Sequence, residues 1–207
     1  MTVRASVFAP ALVLAACASP AQAEENPWHY DIVATTFWVG EVLSSAPDGS
    51  QEVSAYDPHW MANYGGCDGI VMNGRCQTEP RTAANDFFPT QMTPKQNPFY
   101  LDLPVIDRSL KDRWIQLQKD GRVCYGQVED AGPAVYDDTA YVFGNARPKN
   151  TRFNGAGLDV SPALNGCLGF SQLDGASDRV DWRFVEQSDV PAGPWTRIIT
   201  TNPVVPW

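Results

Sequence analysis

Asp130 and Asp159 are the side chains of this sequence best placed for acid–base chemistry. Asp130 closes the segment GRVCYGQVED, which reads as a half-buried strand. Asp159 lies in NGAGLDVSPALNGCLGF, between a Gly-rich turn and a short capped helix. Two carboxyl groups at strand ends can face one groove. There, one can protonate a glycosidic oxygen while, in an inverting reaction, the other activates water from roughly 6.5–9.5 Å away. That chemistry requires one carboxyl whose pKa is raised by burial or by a like-charged neighbour. The same positions also suit a structural duty, because Asp after a Gly turn or before Ser-Pro commonly accepts backbone N–H groups. Thr36, Trp38, Trp114 and Tyr125 are the candidate substrate contacts. Aromatic faces stack on apolar ligand surfaces, although Trp in a β-rich chain is more often core. His59, in YDPHW, is the most acid–base-capable residue of the long loop, but a lone loop histidine is more often solvated or bonded to backbone. No G-x-S-x-G is present, and no Ser/His/Asp set stands out.

The elements that must position these residues are mainly strands. Seven Trp, seven Tyr, nine Phe, 16 Gly and 17 Pro suit a loop-rich β domain. Asp31 to Trp38 reads as a first strand. Phe99 to Leu103 alternates, with Phe99, Leu101 and Leu103 on one face and Tyr100 and Asp102 on the other. Arg113 to Lys119 sends Ile115 and Leu117 inward and leaves Trp114 on the polar face. Val123 to Asp130 follows. Arg179 to Val185 is the cleanest, with Val180, Trp182 and Phe184 inward, and Trp195 to Thr201 completes a set of six. One helix is well signalled: Ser161 caps it, Pro162 takes the first position, Leu164, Cys167 and Leu168 form its apolar face, and Gly169 stops it. Residues 44–97 are polar and Gly/Pro-rich, too long for an ordinary connection, and read as an elaborated loop insertion. Asp68-Gly69 within it reads as a turn.

The chain opens as an export segment. Arg4 precedes a short apolar run, and Ala21-Gln22-Ala23 forms a cleavage site, so residues 1–23 are expected to be a signal peptide and residues 24–207 one domain. Leu14-Ala15-Ala16-Cys17 resembles a lipobox, which makes Cys17 the alternative lipidation site. An oxidising compartment follows, and Cys67, Cys76, Cys124 and Cys167 form an even set. Of the three pairings, Cys67–Cys76 and Cys124–Cys167 are favoured, the first closing a small loop and the second tying a strand to the helix. The C-x8-C spacing and two histidines do not make a zinc set, and the carboxylates lack an EF-hand pattern, so neither metal nor cofactor is expected. A formal net charge of −9 without basic clusters argues against nucleic acid and anionic membrane surfaces. A neutral glycan or a protein partner fits better, with a monomer as the default.

GLDVSPALNGCLG resembles the signature of secreted double-psi β-barrels, in which an aspartate, a hydroxyl residue and a short helix follow a Gly turn. VEDAGPA resembles the VxD turn of expansins, RVDWRFV the strand that follows it, and TTFWVG the T-[FY]-[YW] opening. Related groups are family 45 endoglucanases, barwin-like proteins and rare-lipoprotein-A-like proteins. The resemblance covers the first strand and roughly residues 121–201, leaving the insertion outside. It implies a six-stranded double-psi barrel whose groove holds Asp130, Asp159 and Thr36. The family 45 enzymes carry a base aspartate directly after the opening, where this chain has Val39-Gly40, with Glu41 offset. The resemblance therefore implies a secreted, periplasmic or cell-surface protein that binds cell-wall glycan without strong hydrolytic activity. A wall-polysaccharide hydrolase or lytic enzyme using Asp130 and Asp159 is the alternative, and a barwin-like, protein-binding or inhibitory module using residues 44–97 is the third reading.

Overall fold

The structure, a computed structural model, describes residues 26–42, 50–68, 70–77 and 93–203. The expected signal peptide and Cys17 lie outside the described residues, as does part of the insertion, including Gly69. The described elements run β1 (His29–Thr36), α1 (Trp60–Tyr64), β2 (Ile70–Met72), β3 (Arg75–Gln77), β4 (Tyr100–Leu103), β5 (Trp114–Lys119), β6 (Arg122–Ala131), α2 (Thr139–Val142), β7 (Leu158–Val160), α3 (Pro162–Leu168) and β8 (Arg179–Val185). Six strands close into a barrel in the order β1-β7-β4-β6-β5-β8, and β2-β3 form a separate hairpin. The β1/β7 and β4/β6 pairs are parallel, and the other barrel pairs are antiparallel. The protein is thus mainly β, a six-stranded mixed barrel with a few short helices, compatible with a double-psi arrangement. No described helix is long and apolar enough to cross a membrane.

The barrel interior follows the alternation of the strands. Ile32, Ala34, Leu101, Leu103, Ile115, Leu117, Val180 and Trp182 are buried in one cluster. At full burial each larger aliphatic side chain contributes about 1.5–3 kcal/mol. The β5–β6 hairpin turns at Asp120-Gly121, both at positive φ (48° and 79°). That is the backbone an I′ turn demands, and Asp-Gly supplies it with little strain. Helix α3 starts where Ser161 Oγ accepts the Leu164 N–H at 3.2 Å and stops at Gly169 in the left-handed region.

Three expectations about elements change. Trp195 to Thr201 is not a strand. It contains a single 3-10 turn (Pro194–Thr196), and Trp195 packs edge-on to Phe99 and beside Tyr125. Pro194 opens that turn, where its fixed φ and missing N–H favour a turn over a ladder. The sixth strand is β7, whose three residues are too few to show alternation. Helices α1 and α2 accompany α3, so there is more than one short helix.

The outer face of the barrel is also largely covered. Trp114, expected on a polar face, is only 3% exposed, in a cluster that Val190 and Ile199 flank. The C-terminal segment is held over this face by buried amides. Gln127 Oε1 accepts from Asn97 Nδ2 (3.0 Å) and from the Thr200 N–H (2.9 Å), while Gln127 Nε2 donates to Thr200 O (2.9 Å). On another side the insertion packs Trp60 and Tyr64 around Phe37, Val39 and Tyr100 in a second apolar cluster. Asp68 is buried there, accepting the Tyr100 hydroxyl at 2.7 Å, and so anchors the insertion rather than simply turning it.

Both favoured disulfides are present, Cys67–Cys76 within the insertion and Cys124–Cys167 between β6 and α3. Two disulfides are consistent with an oxidising compartment. The second spans 43 residues and the first 9. Because loop-closure entropy grows with loop length, Cys124→Ser/Cys167→Ser should lose about 3–4 kcal/mol in urea unfolding, and Cys67→Ser/Cys76→Ser distinctly less.

Candidate functional site

The β4–β6 pairing is the origin of the site. Leu101 pairs with Val128, but Asp102 pairs with Asp130, so Glu129 is an extra residue in β6. Such a bulge re-aims the side chains beyond it. Here it brings Asp130 opposite Asp102, and Glu129 turns away to Lys111 (3.1 Å). On the other edge of β4, Asp102 pairs with Asp159, and Asp159 in turn pairs with Thr35 of β1. Asp130, Asp102, Asp159 and Thr35 thus form a row across four adjacent strands. With neighbouring strands about 4.8 Å apart, the backbones at Asp130 and Asp159 are roughly 10 Å apart, with Asp102 between them.

This row lies on the floor of an open cleft of about 560 Å³. Thr36, Phe37, Trp38 and Glu41 line it from the strand β1 side, and Tyr136, Arg152 and Phe153 from the loops that flank β7 and follow β6. Asp102 is 3% and Asp130 8% exposed, and Asp159 is half-buried. Asp102 Oδ1 accepts the Asp159 N–H at 2.9 Å. Asp130 Oδ1 accepts two backbone N–H groups, from Ala55 at 2.7 Å and Ala131 at 2.8 Å, and so fastens the insertion to the barrel. Thr35 Oγ1 donates to Asp159 Oδ1, while Asp159 Oδ2 has no hydrogen-bond partner among the described residues.

Burial, reinforced for Asp102, Asp159 and Glu41 by neighbouring carboxyl groups, holds protons on these acids. Burial, then Glu41 and Asp130, push Asp159 up to about 8. Burial pushes Asp130 up to about 7 against the pull of its two N–H donors. Asp102 is raised well above the carboxylate range, by burial first and then by Asp159 and Asp130. Burial also lifts Glu41 to about 7, with Asp174 adding to the effect. At neutral pH the floor of the cleft therefore carries proton donors as well as acceptors. Hydroxyl groups of a ligand can use both.

Among the sequence-level candidates, the structure brings Asp130, Asp159, Thr36 and Trp38 to the cleft. Thr36 is committed to α3, accepting Asn165 Nδ2 at 2.9 Å, and it is Thr35 that meets Asp159. Trp114 is core, and Tyr125 packs on Trp195 beside a separate hollow with Arg183, so neither lines the cleft. His59 is exposed beside α1, outside the cleft lining. Asp102, Thr35 and Glu41 were not among the candidates. Only the place of Asp102 on the face opposite Leu101 and Leu103 in YLDL signalled it, and strand order was needed to give that place meaning. Among the described residues, no group of three or more His, Cys, Asp and Glu side chains is arranged to hold a metal ion. Comparison with protein-family models, curated proteins and solved structures finds no match.

The acid row has a cost that depends on pH. A carboxyl whose folded pKa is raised binds protons more tightly in the folded than in the unfolded chain. Its contribution to stability therefore falls as pH rises from about 4 toward the folded value, by up to about 1.4 kcal/mol per pH unit for each proton. Asp159→Asn removes one such group and keeps an acceptor for Thr35. In urea unfolding at a series of pH values, it should gain stability relative to the parent chain between pH 4 and about 8, with little further gain above. Gly132 is the other sensitive point, because a Cβ there would fall 2.5 Å from Asp102 Oδ2. Gly132→Ala should cost about 1–3 kcal/mol by displacing that carboxyl or its loop, read in the same assay.

Proposed function

We propose that this protein is an exported double-psi barrel of the expansin-like kind and that its cleft binds a polysaccharide of the cell wall. The single observation that carries the reading is the Asp130–Asp102–Asp159 row on the floor of an open cleft with aromatic side chains at its rim. Carboxyl groups that both donate and accept suit the hydroxyls of a sugar. Trp38, Tyr136 and Phe153 offer faces for the apolar side of a pyranose ring. The half-buried Asp159, fixed by Thr35 on one oxygen, presents its other oxygen to the ligand.

A second reading has its own support. Asp159 with a pKa of about 8 holds a proton at neutral pH, as a general acid for glycoside cleavage must. Asp130, two strands away and with a pKa of about 7, is the group able to ionise opposite it. The roughly 10 Å between their backbones is compatible with the carboxyl separation of about 6.5–9.5 Å used by inverting enzymes.

One experiment separates the two. The protein is incubated with insoluble β-glucan and with peptidoglycan, and both retention on the solid and release of new reducing ends are measured. The binding reading expects retention without products, weakened about tenfold by Asp130→Asn, which removes a charged acceptor. Release of reducing ends that Asp159→Asn abolishes, with circular dichroism unchanged, establishes the hydrolytic reading instead. Absence of retention on both polymers overturns the leading one.

A further inference from the structure

The rim of the cleft contains a feature that the acid row does not use. Arg152 is the one cation lining the cleft among the described residues, and no described carboxylate pairs with it. Its guanidinium lies 4.9 Å from the centroid of the Phe153 ring. Phe153 is 48% exposed and Tyr136, on the loop after β6, is 54% exposed. Large aromatic side chains left this open at a cleft mouth mark a contact surface. The Tyr136 hydroxyl, raised mainly by burial, also responds to Asp102, Asp130 and Asp159 and in the opposite sense to Arg152, so the rim and the acid row share one electrostatic neighbourhood.

The rim is also built to stay in place. Phe153 and Asn154 are consecutive non-glycine residues in the left-handed region, with φ of 50° and 57°. Backbone of this kind persists only where its surroundings over-determine it, and it concentrates at ligand sites. The determinants are visible. Buried Asn150 accepts the Arg152 N–H at 2.9 Å and donates to Ala156 O at 2.8 Å, closing the loop on itself. Asn154 Nδ2 donates to Ala176 O at 3.1 Å, across to another cleft-lining segment. The strained turn therefore presents Arg152 and Phe153 together, and little ordering remains to be done when a ligand arrives.

We propose that Arg152, Phe153 and Tyr136 form a subsite for a sugar that carries a carboxylate, with the ring against the aromatic faces and the carboxylate on the guanidinium. This deepens the reading of the cleft as a glycan site and rests on it. The cleft also contains Glu41, Asp102, Asp130, Asp159 and Asp174. Glu41, Asp130 and Asp159 hold protons up to about pH 7, 7 and 8, and Asp102 holds its proton above the usual carboxylate range. In mildly acidic solution an incoming carboxylate thus meets mainly neutral acids and one fixed positive charge. An overall negative chain does not bar an acidic glycan from this particular cleft.

The test titrates the full chain calorimetrically at pH 5.5 with a galacturonate hexamer, with peptide-free murein glycan strands, whose muramic acid carries a lactyl carboxylate, and with neutral cellohexaose. At least one acidic ligand should bind about tenfold or more tightly than cellohexaose, and the tighter of the two identifies the source of the carboxylate. Arg152→Gln should reduce that ligand to the level of cellohexaose, and Arg152→Lys should retain part of the preference. Equal binding of acidic and neutral ligands overturns the subsite and leaves the glycan cleft standing. So does a preference that survives Arg152→Gln. Failure of all three ligands to bind, with circular dichroism intact, overturns the glycan reading itself.

Discussion

Strand β4 is four residues long, and the rest of the molecule is arranged around its two hydrogen-bonded edges. Its four side chains divide among three duties. Leu101 and Leu103 enter the barrel core, Tyr100 turns outward into the cluster that holds the insertion, and Asp102 turns outward onto the floor of the cleft. Parallel pairing with β6 on one edge and antiparallel pairing with β7 on the other set the position of Asp130 and Asp159 relative to Asp102. A one-residue slip on either edge would send those acids to other neighbours. The extra residue at Glu129 is what reconciles a regular core register with an acid row on the same strand.

Packing three carboxyl groups side by side runs against the stability of the domain, and the structure accommodates it by neutralising rather than by pairing. Contrast Glu129, which is 1% exposed and meets the buried ammonium of Lys111. Among the described residues, no cation pairs with the row in that way. Asp130 receives two backbone N–H groups, Asp159 one threonine hydroxyl, and Asp102 a single N–H. These contacts leave oxygens free toward the cleft. Acids kept protonated by burial, with like charges beside them in a cleft, recur at functional sites.

The parts of this architecture legible in the sequence were those fixed by local chemistry. Ser161, Pro162 and Gly169 bounded α3 because capping and left-handed termination depend on a few adjacent residues. The alternation of Val180, Trp182 and Phe184 marked β8 for the same reason. A small loop favoured one disulfide that forms, and the expected strand and helix favoured the other. What stayed hidden was long-range. β7 is too short to carry a period, so the sequence points to Trp195 to Thr201 as the sixth strand in its place. Trp114 and Asp102 both point outward as their alternation requires, but outward here means beneath covering segments or into a cleft, and no local pattern reports what covers a face. The site was half visible for the same reason: Asp130 and Asp159 stood out by motif, whereas Asp102 between them became visible only through strand order.

The amide lattice joining Asn97, Gln127 and Thr200 has a temporal meaning. Asn97 donates its backbone N–H to Thr200 Oγ1 at 3.0 Å, across a separation of 103 residues. Contacts so distant in the chain close late, since the intervening polypeptide must first be gathered. The seam that seals β6 beneath the C-terminal segment can therefore be completed only once residue 200 is in place. One side of the barrel, where Ile199 flanks the Trp114 cluster and Thr200 satisfies the amide of Gln127, thus depends on the far end of the chain to be knitted shut.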